Sequence, residues 1–177
     1  MVYDFLVTKN KAEFLAWVND ICARLGINPD WLMVVMKMES DIDETASNPY
    51  TNATGLIQFM PSTAAGLGTS VEQLKTMSNV QQLDYVYKYF KPYTGRLKSL
   101  TDLYMVTFFP RGLGQPDDYV MQTDTISAQR IAQQNPGFDL DKNGQITAGE
   151  FRAAILRRVP GDVQITLEEA ADYLKKK

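Results

Sequence analysis

The apolar stretch from Trp31 to Met38 places the strongest constraint on how this chain can fold. Lys37 is its only evident solvent-facing side chain, and a helix that is apolar on nearly every face is a buried helix. Glu39 follows directly. Burial disfavours the charged form of a carboxyl group, so the position predicts a raised pKa for Glu39 and a proton held near neutral pH. A general acid needs such a proton, although a solvated Glu at the end of a core helix fits the same pattern.

A second informative block follows a polar, turn-rich segment, and it reads Gly55-Leu56-Ile57-Gln58-Phe59-Met60-Pro61-Ser62-Thr63-Ala64. Together with Glu39-Ser40, this block resembles the soluble lytic transglycosylase family of the lysozyme superfamily, in a phage-type form. The resemblance covers about 35 residues directly and extends less clearly to about Gly114. Its two blocks at this spacing are a specific signal.

The resemblance implies a mainly α, lysozyme-like domain that acts on the glycan strands of bacterial peptidoglycan. It implies that Glu39 protonates the β-1,4 glycosidic oxygen between N-acetylmuramic acid and N-acetylglucosamine. Glu39 then removes a proton from the sugar's own 6-hydroxyl, which leaves 1,6-anhydro ends. Ser40 is expected to fix the turn and the Glu39 carboxylate, and Gln58 to bind substrate or Glu39. Phe59 and Met60 complete the expected substrate contacts, with Met60 packing under a sugar.

The family's third block, an Ala-Tyr-Asn-Ala-Gly type of segment with a tyrosine near the acid, is altered in this chain. Tyr104 matches if the tyrosine is aligned, whereas Phe108 and Phe109 fall there if the following glycines are aligned. Tyr104 is therefore the candidate for the family's tyrosine. The alteration leaves open a structural phage tail or baseplate component that keeps the lysozyme-like fold with weak or no activity.

The titratable residues limit the catalytic mechanisms that this chain can use. The chain has no His, which excludes a Ser-His-Asp triad, a Cys-His pair and a His-ligated zinc. A glycoside hydrolase needs a second carboxylate or a positioned water, yet no acidic residue lies between Glu44 and Glu72. The acids at 41, 43 and 44 follow Glu39 too closely to face it across a cleft. A one-carboxylate transglycosylase is favoured, and a muramidase hydrolase stays open.

A second motif, from Asp139 to Glu150, matches the loop of an EF-hand. Oxygen-bearing side chains occupy its first, third and fifth positions, a glycine makes the sharp turn, and a glutamate ends it. The predicted Ca²⁺ ligands are Asp139, Asp141, Asn143, the backbone carbonyl of Gln145, and Glu150. Because Pro136 interrupts the entering helix, the motif resembles the isolated, structural calcium loops of bacterial and phage proteins. A plain glycine turn, or a calcium-dependent glycan-binding module without catalysis, are the alternatives.

Periodicity and turn residues predict the remaining organisation. Helices are expected over Lys11 to Leu25, over Gly55 to Met60, over Asn79 to Phe90, and from about Thr166. The tyrosines of the 79–90 helix should mostly pack in the core, with one or two reaching a cleft. The loop-like stretch 112–125 predicts a boundary between a transglycosylase domain, residues 1–125, and a calcium-loop subdomain, residues 126–177, packed on it. Cys22 is expected to be a small buried hydrophobe.

Charge and hydropathy limit the partners. The net charge of -3 gives no reason to expect nucleic acid or an anionic membrane, and no apolar run is long enough for membrane insertion. Met1 to Asn10 lacks the apolar run of a signal peptide. The expected location is therefore a phage virion, as a tail or injected protein, or the bacterial periplasm and cell wall after delivery. Peptidoglycan glycan strands and other virion proteins are the expected partners.

Overall fold

Helices dominate the protein, as the computed structural model shows for residues 1–163. The helix expected near Thr166 lies outside these described residues. Within them, β pairing is confined to isolated bridges, so the predicted mainly α fold class is confirmed. The chain divides into two compact units, Met1–Leu100 and Thr101–Lys177. None of the described helices is both long enough and apolar enough to cross a bilayer.

The first unit contains five α-helices and agrees with a lysozyme-like helical domain. α1 packs against both α2 and α5, and its apolar face is fully buried. Cys22 lies on that face, as expected, and burial, assisted by the charge of Asp30, raises the pKa of its thiol to about 12. The helices are α1 (Lys11–Leu25), α2 (Pro29–Ser40), α3 (Pro61–Gly66), α4 (Val71–Leu74) and α5 (Asn79–Phe90).

α2 is the buried helix that the apolar run predicts. Its first turn is capped by Asn28, whose side-chain oxygen accepts a 2.8 Å hydrogen bond from the Asp30 amide, and Pro29 supplies the first helical residue. The five residues 32–36 are all buried. The helix stops where Asp41 and Ile42 adopt left-handed backbone conformations, φ 56° and 61°. Glu39 therefore lies in the last turn of a core helix.

The expected short helix over Gly55 to Met60 is wrong. Thr54 and Phe59 instead exchange backbone hydrogen bonds of 3.1 and 2.9 Å, which close a tight turn. Gly55 and Gln58 have left-handed φ values of 79° and 52°, and a right-handed helix cannot contain such residues. The apolar residues of this segment are there because the turn is buried, and their spacing does not indicate a helix.

The second unit is organised around an aromatic cluster of Tyr104, Phe108, Phe138 and Phe151. The Phe108 ring stacks on Phe151 at 5.0 Å between centroids, and Phe138 lies 4.9 Å from each of them. Its described helices are α6 (Leu100–Phe108), α7 (Ala128–Gln134) and α8 (Ala148–Arg158). The cluster joins α6 to α8 and to the segment that follows α7.

The boundary between the units falls earlier in the chain than residue 125. The Met121 amide donates to the Ile146 carbonyl over 2.8 Å, and the Ala148 amide donates to Tyr119 over 2.9 Å. These bonds attach the 119–121 segment to the start of α8. Because α6 and this segment both pair with residues beyond 130, they group with the second unit, and the transition lies at Leu100 and Thr101.

Candidate functional site

The two blocks singled out in the sequence meet at the end of α2. Glu39 is half-buried in the last helical turn. The hydroxyl oxygen of the next residue, Ser40, lies 2.9 Å from the Leu56 carbonyl and 3.1 Å from the Met36 carbonyl. Its proton therefore ties the helix end to the second block. Ser40 thus fixes the turn beside Glu39, and its expected contact with the Glu39 carboxylate stays a prediction.

Gln82 of α5, which no sequence motif indicated, is a buried side-chain amide that holds the second block in place. Its exposed fraction is 0%. Its carbonyl oxygen accepts from the Leu56 amide over 3.0 Å. Its nitrogen donates to the Glu44 and Leu74 carbonyls over 2.8 and 2.9 Å. One side chain thus connects α5 to the second block, to the loop after α2 and to α4.

Gly55 is required by the position of Gln82. A Cβ atom at residue 55 would lie 2.3 Å from the Gln82 side-chain oxygen, and the backbone there has φ +79°. Both the close approach and the left-handed backbone favour glycine. The first residue of the second block is therefore a packing requirement of the site.

Gln58 braces the same loop from within. Its side-chain nitrogen donates to the Gly55 carbonyl over 3.1 Å and to the Ala46 carbonyl over 3.3 Å. The Gly55 amide also donates to Ala46 over 2.8 Å. The Gln58 nitrogen is therefore directed at the loop backbone, and the expected contact with substrate or Glu39 stays a prediction.

The other residues expected to contact substrate differ in exposure. Met60 is 44% exposed and immediately precedes α3, so a ligand can reach it. Phe59 is 2% exposed, which favours support of the site from beneath over stacking on a sugar. Tyr104, in the second unit, is 5% exposed, and its ring centroid lies 5.9 Å from that of Phe151.

Tyr89 of α5 packs against the second block. Its ring lies edge-on to Phe59, with centroids 6.4 Å apart and planes at 88°. Burial raises the pKa of the Tyr89 hydroxyl, and the charges of Tyr93 and Glu39 raise it further. The sequence pattern predicts that the tyrosines of this helix mostly pack in the core, with one or two reaching a cleft, and it does not distinguish Tyr89 from the others.

The second unit brings the predicted metal ligands together. Asp139, Asp141 and Glu150 each place a carboxylate oxygen within 4.8 Å of the others. The Gly144 amide donates to Asp139 over 3.0 Å, and the Asn143 side-chain oxygen accepts from the Gln145 amide over 2.9 Å. A set of carboxylate, amide and carbonyl oxygens fits a hard cation such as Ca²⁺.

Hydrogen bonds within the loop favour the ionised form of the Glu150 carboxyl group. One of its oxygens accepts from the Leu140 amide over 3.0 Å, and the other accepts from the amide and hydroxyl of Thr147, each over 2.9 Å. Burial raises the pKa of Glu150, but hydrogen bonds from Thr147, Asp141 and Leu140 outweigh it and hold the pKa below its usual value. The carboxyl group is therefore charged at neutral pH, as a calcium ligand must be.

Glu39, in the last turn of a buried helix, and the second block that Ser40 ties to that turn lie in the same mainly helical unit. Residues 18–94 match the family model described as the transglycosylase SLT domain. The matched region contains Glu39, the second block and α5. The match supports a relation to the lytic transglycosylases of the lysozyme-like family, and it supports peptidoglycan as the substrate. No curated protein matches the chain.

Proposed function

We propose that this protein is a peptidoglycan lytic transglycosylase with Glu39 as its single catalytic carboxylate. The observation that carries the proposal is the Ser40 to Leu56 hydrogen bond, which joins the Glu39 turn to the second block inside the region that matches the family model. This contact anchors the helix turn that carries Glu39, and a catalytic acid needs such a rigid support.

In the proposed reaction, one carboxyl group acts first as an acid and then as a base. Glu39 first donates its proton to the glycosidic oxygen, and the bond from that oxygen to carbon 1 of N-acetylmuramic acid breaks. The Glu39 carboxylate then takes the proton of the same sugar's 6-hydroxyl, whose oxygen bonds to carbon 1. The products are a 1,6-anhydro end and a free hydroxyl on the leaving sugar. Glu39 finishes protonated, as it began.

The partners of the neighbouring acids support this one-carboxylate mechanism over hydrolysis. Asp41 forms an ion pair of 3.2 Å with Lys37. Glu44 forms an ion pair of 2.9 Å with Lys9. Asp43 accepts from the amide and hydroxyl of Thr45 over 2.8 and 2.7 Å. Each acid that follows Glu39 closely in the sequence thus has a partner of its own, which disfavours it as the second carboxylate of a hydrolase.

The other predicted site residues bind substrate or support the loop that does so. Met60 packs under a sugar, because its side chain is exposed beside the second block. Gln58 shapes the loop and binds substrate through its carbonyl end, while Phe59 supports the loop from the core. Tyr104 takes the role of the family's tyrosine.

The test is digestion of purified peptidoglycan, with the products weighed by mass spectrometry. The wild-type protein should release muropeptides with 1,6-anhydro ends. Glu39→Gln should abolish release without lowering the melting temperature, since it removes only the titrating proton. Asp41→Asn is the matched control, because it neutralises a neighbouring acid at a left-handed position that Asn tolerates. It should retain activity.

Other outcomes separate the alternatives. Products with reducing ends alone would make the protein a muramidase hydrolase, and loss of activity in Asp41→Asn would point to a second carboxylate. A folded wild-type protein that releases nothing would favour a structural tail or baseplate component with a lysozyme-like fold.

We further propose a phage virion location, as a tail or injected protein, or delivery to the periplasm and cell wall during lysis. The support is the substrate, which lies outside the cytoplasmic membrane and which a virion can reach from the exterior. Other virion proteins are then its partners. Immunodetection of the protein in purified particles tests the location.

We also propose that the loop from Asp139 to Glu150 binds Ca²⁺ for structure. Three carboxylates whose oxygens lie within 4.8 Å of one another repel in the absence of a cation, and one Ca²⁺ reduces their combined charge from -3 to -1. Asn143 and the Gln145 carbonyl would complete the ligand set. The loop already pairs with residues 119–121, so binding has little to open, unlike in a sensor hand.

Elemental analysis after dialysis against calcium tests this site. One bound calcium is expected in the wild-type protein and none in Glu150→Gln. Gln retains the oxygen that caps α8 through Thr147, so this variant separates metal binding from helix capping. A wild-type protein without calcium would leave the loop as a glycine turn.

A further inference from the structure

We propose that Tyr50, at the tip of the loop between α2 and the second block, is a sugar-binding residue. Its ring stacks on the glycan strand at a sugar beyond the bond that Glu39 cleaves. The inference rests on the proposed function, because it adds a binding position to that site. The ligand is the apolar face of an uncharged, N-acetylated sugar.

Tyr50 is the most exposed tyrosine that the structure describes. It is 94% exposed, whereas every other tyrosine within residues 1–163 is buried or half-buried. Single exposed apolar side chains are common on protein surfaces, so the exposure alone does not define a site. The loop that carries the ring, its position and its chemistry do so together.

Hydrogen bonds hold the backbone of this loop in one conformation. The Asn48 side-chain oxygen accepts from the amides of Tyr50 and Thr51 over 2.9 and 3.1 Å. The Asn48 carbonyl accepts from the Asn52 amide over 2.8 Å, and Pro49 has a fixed φ. A loop that is already ordered loses little conformational entropy when it binds. None of these bonds uses the Tyr50 ring, so the ring can be replaced without loss of the loop.

Backbone pairing places the loop beside the second block. Ser47 and Thr54 form an antiparallel bridge at its base, and the second block begins at the next residue. Tyr50 precedes Thr54 by four residues, which span at most about 14 Å when extended. The ring therefore lies close to the block that Ser40 anchors beside Glu39. Because the acid is half-buried and the loop tip projects into solvent, the ring is suited to a sugar further along the strand.

The surface around Tyr50 matches an uncharged sugar. From Thr45 to Val71 the chain has no Asp, Glu, Lys or Arg, although charged residues make up 22% of the sequence. The exposed polar side chains of this stretch carry hydroxyl or amide groups, at Thr45, Ser47, Thr51, Asn52 and Ser62. A sugar offers a C–H face to an aromatic ring and hydroxyls to such groups. A stem peptide carries charges, for which this surface has no complementary group.

Titration with a hexamer of β-1,4-linked N-acetylglucosamine, followed by NMR, tests the role in Tyr50→Ala. The expected result is a dissociation constant about three- to tenfold higher, the range for uncovering one face of an aromatic ring. Tyr50→Trp keeps an aromatic face and should bind at least as tightly as the wild type. On peptidoglycan, Tyr50→Ala should raise KM by a similar factor. Both variants should melt at the wild-type temperature.

Phe5→Ala is the matched control. It removes another exposed aromatic ring of the first unit, at a residue that is 70% exposed. Its dissociation constant for the hexamer should equal that of the wild type, because Phe5 lies outside the loop and the second block.

Equal affinities of the wild type, Tyr50→Ala and Phe5→Ala overturn the inference. It is also overturned if the wild type does not bind the hexamer, or if Tyr50→Ala and Tyr50→Trp lose the same affinity, since the aromatic face is then not what binds. A soluble stem peptide that moves the Tyr50 signals when the hexamer does not would overturn it as well. Failure of the proposed function is distinct: a wild-type protein that releases no muropeptides, yet binds the hexamer through Tyr50, supports the inference and defeats the cleavage.

Discussion

At the scale of single residues, one buried amide organises the candidate site. Gln82 satisfies the Leu56 amide and the Glu44 and Leu74 carbonyls at once. These backbone groups belong to three irregular or short segments that have no regular ladder of their own to use. The loops around Glu39 therefore depend on a side chain from α5 for their hydrogen bonds.

Replacement of Gln82 by Met should destabilise the protein by at least about 2 kcal/mol, because it leaves buried backbone groups without partners in an interior of similar volume. Chemical denaturation monitored by circular dichroism measures the change. The same replacement at the exposed Gln133 of α7 is the control and should change stability by less than about 0.5 kcal/mol. Equal stabilities for the two variants would contradict the role of Gln82.

At the scale of elements, α6 combines packing with the altered third block. Tyr104 and Phe108 lie one turn apart on it, and both rings contact Phe151 of α8. The aromatic content of this helix therefore has a structural explanation that is independent of catalysis. The family's tyrosine role for Tyr104 is a separate prediction about its hydroxyl.

Tyr104→Phe separates these two contributions, since the ring contact with Phe151 survives the change. If the hydroxyl acts beside the acid, turnover of peptidoglycan should fall by about ten- to a hundredfold, the range for one hydrogen bond to a charged group. Tyr119→Phe, the same change elsewhere in the second unit, should leave turnover unaltered. An unchanged rate in Tyr104→Phe would restrict Tyr104 to packing.

At the scale of the whole molecule, the two units contain different candidate sites. The first contains Glu39 and the second block, and the second contains the aromatic cluster and the calcium loop. The family match ends at residue 94, so α6 to α8 lie beyond it. Apart from the role proposed for the Tyr104 hydroxyl, their proposed contribution is stability, supplied by the aromatic cluster and by a bound cation.

Calcium at about a hundredfold above its dissociation constant should raise the free energy of unfolding by about 2 to 3 kcal/mol through mass action. Melting curves with calcium and with chelator measure the difference. Glu150→Gln should remove most of it and leave the cleavage chemistry of Glu39 intact. Superimposable wild-type curves in the two conditions would defeat the metal assignment.

Local patterns predicted the features that depend on neighbours in the chain. Periodicity and capping residues predicted α1, α2 and α5. The position of Cys22 on an apolar helix face predicted its burial. The twelve-residue motif predicted that the acidic residues of the loop lie close together. The turn from Gly55 to Met60 was wrongly predicted as a helix, because a short apolar run does not reveal which of its residues have left-handed backbone conformations.

What the sequence by itself determined was a buried helix ending in Glu39, a second block at a set distance from it, and an oxygen-rich loop. Each is encoded by residues close together in the chain. Only the tertiary structure decided that Gln82 braces the second block, that the Tyr89 ring packs against Phe59, and that residues 119–121 join the second unit. These features rest on contacts between segments 25 or more residues apart, and chain spacing carries no record of which distant groups will meet.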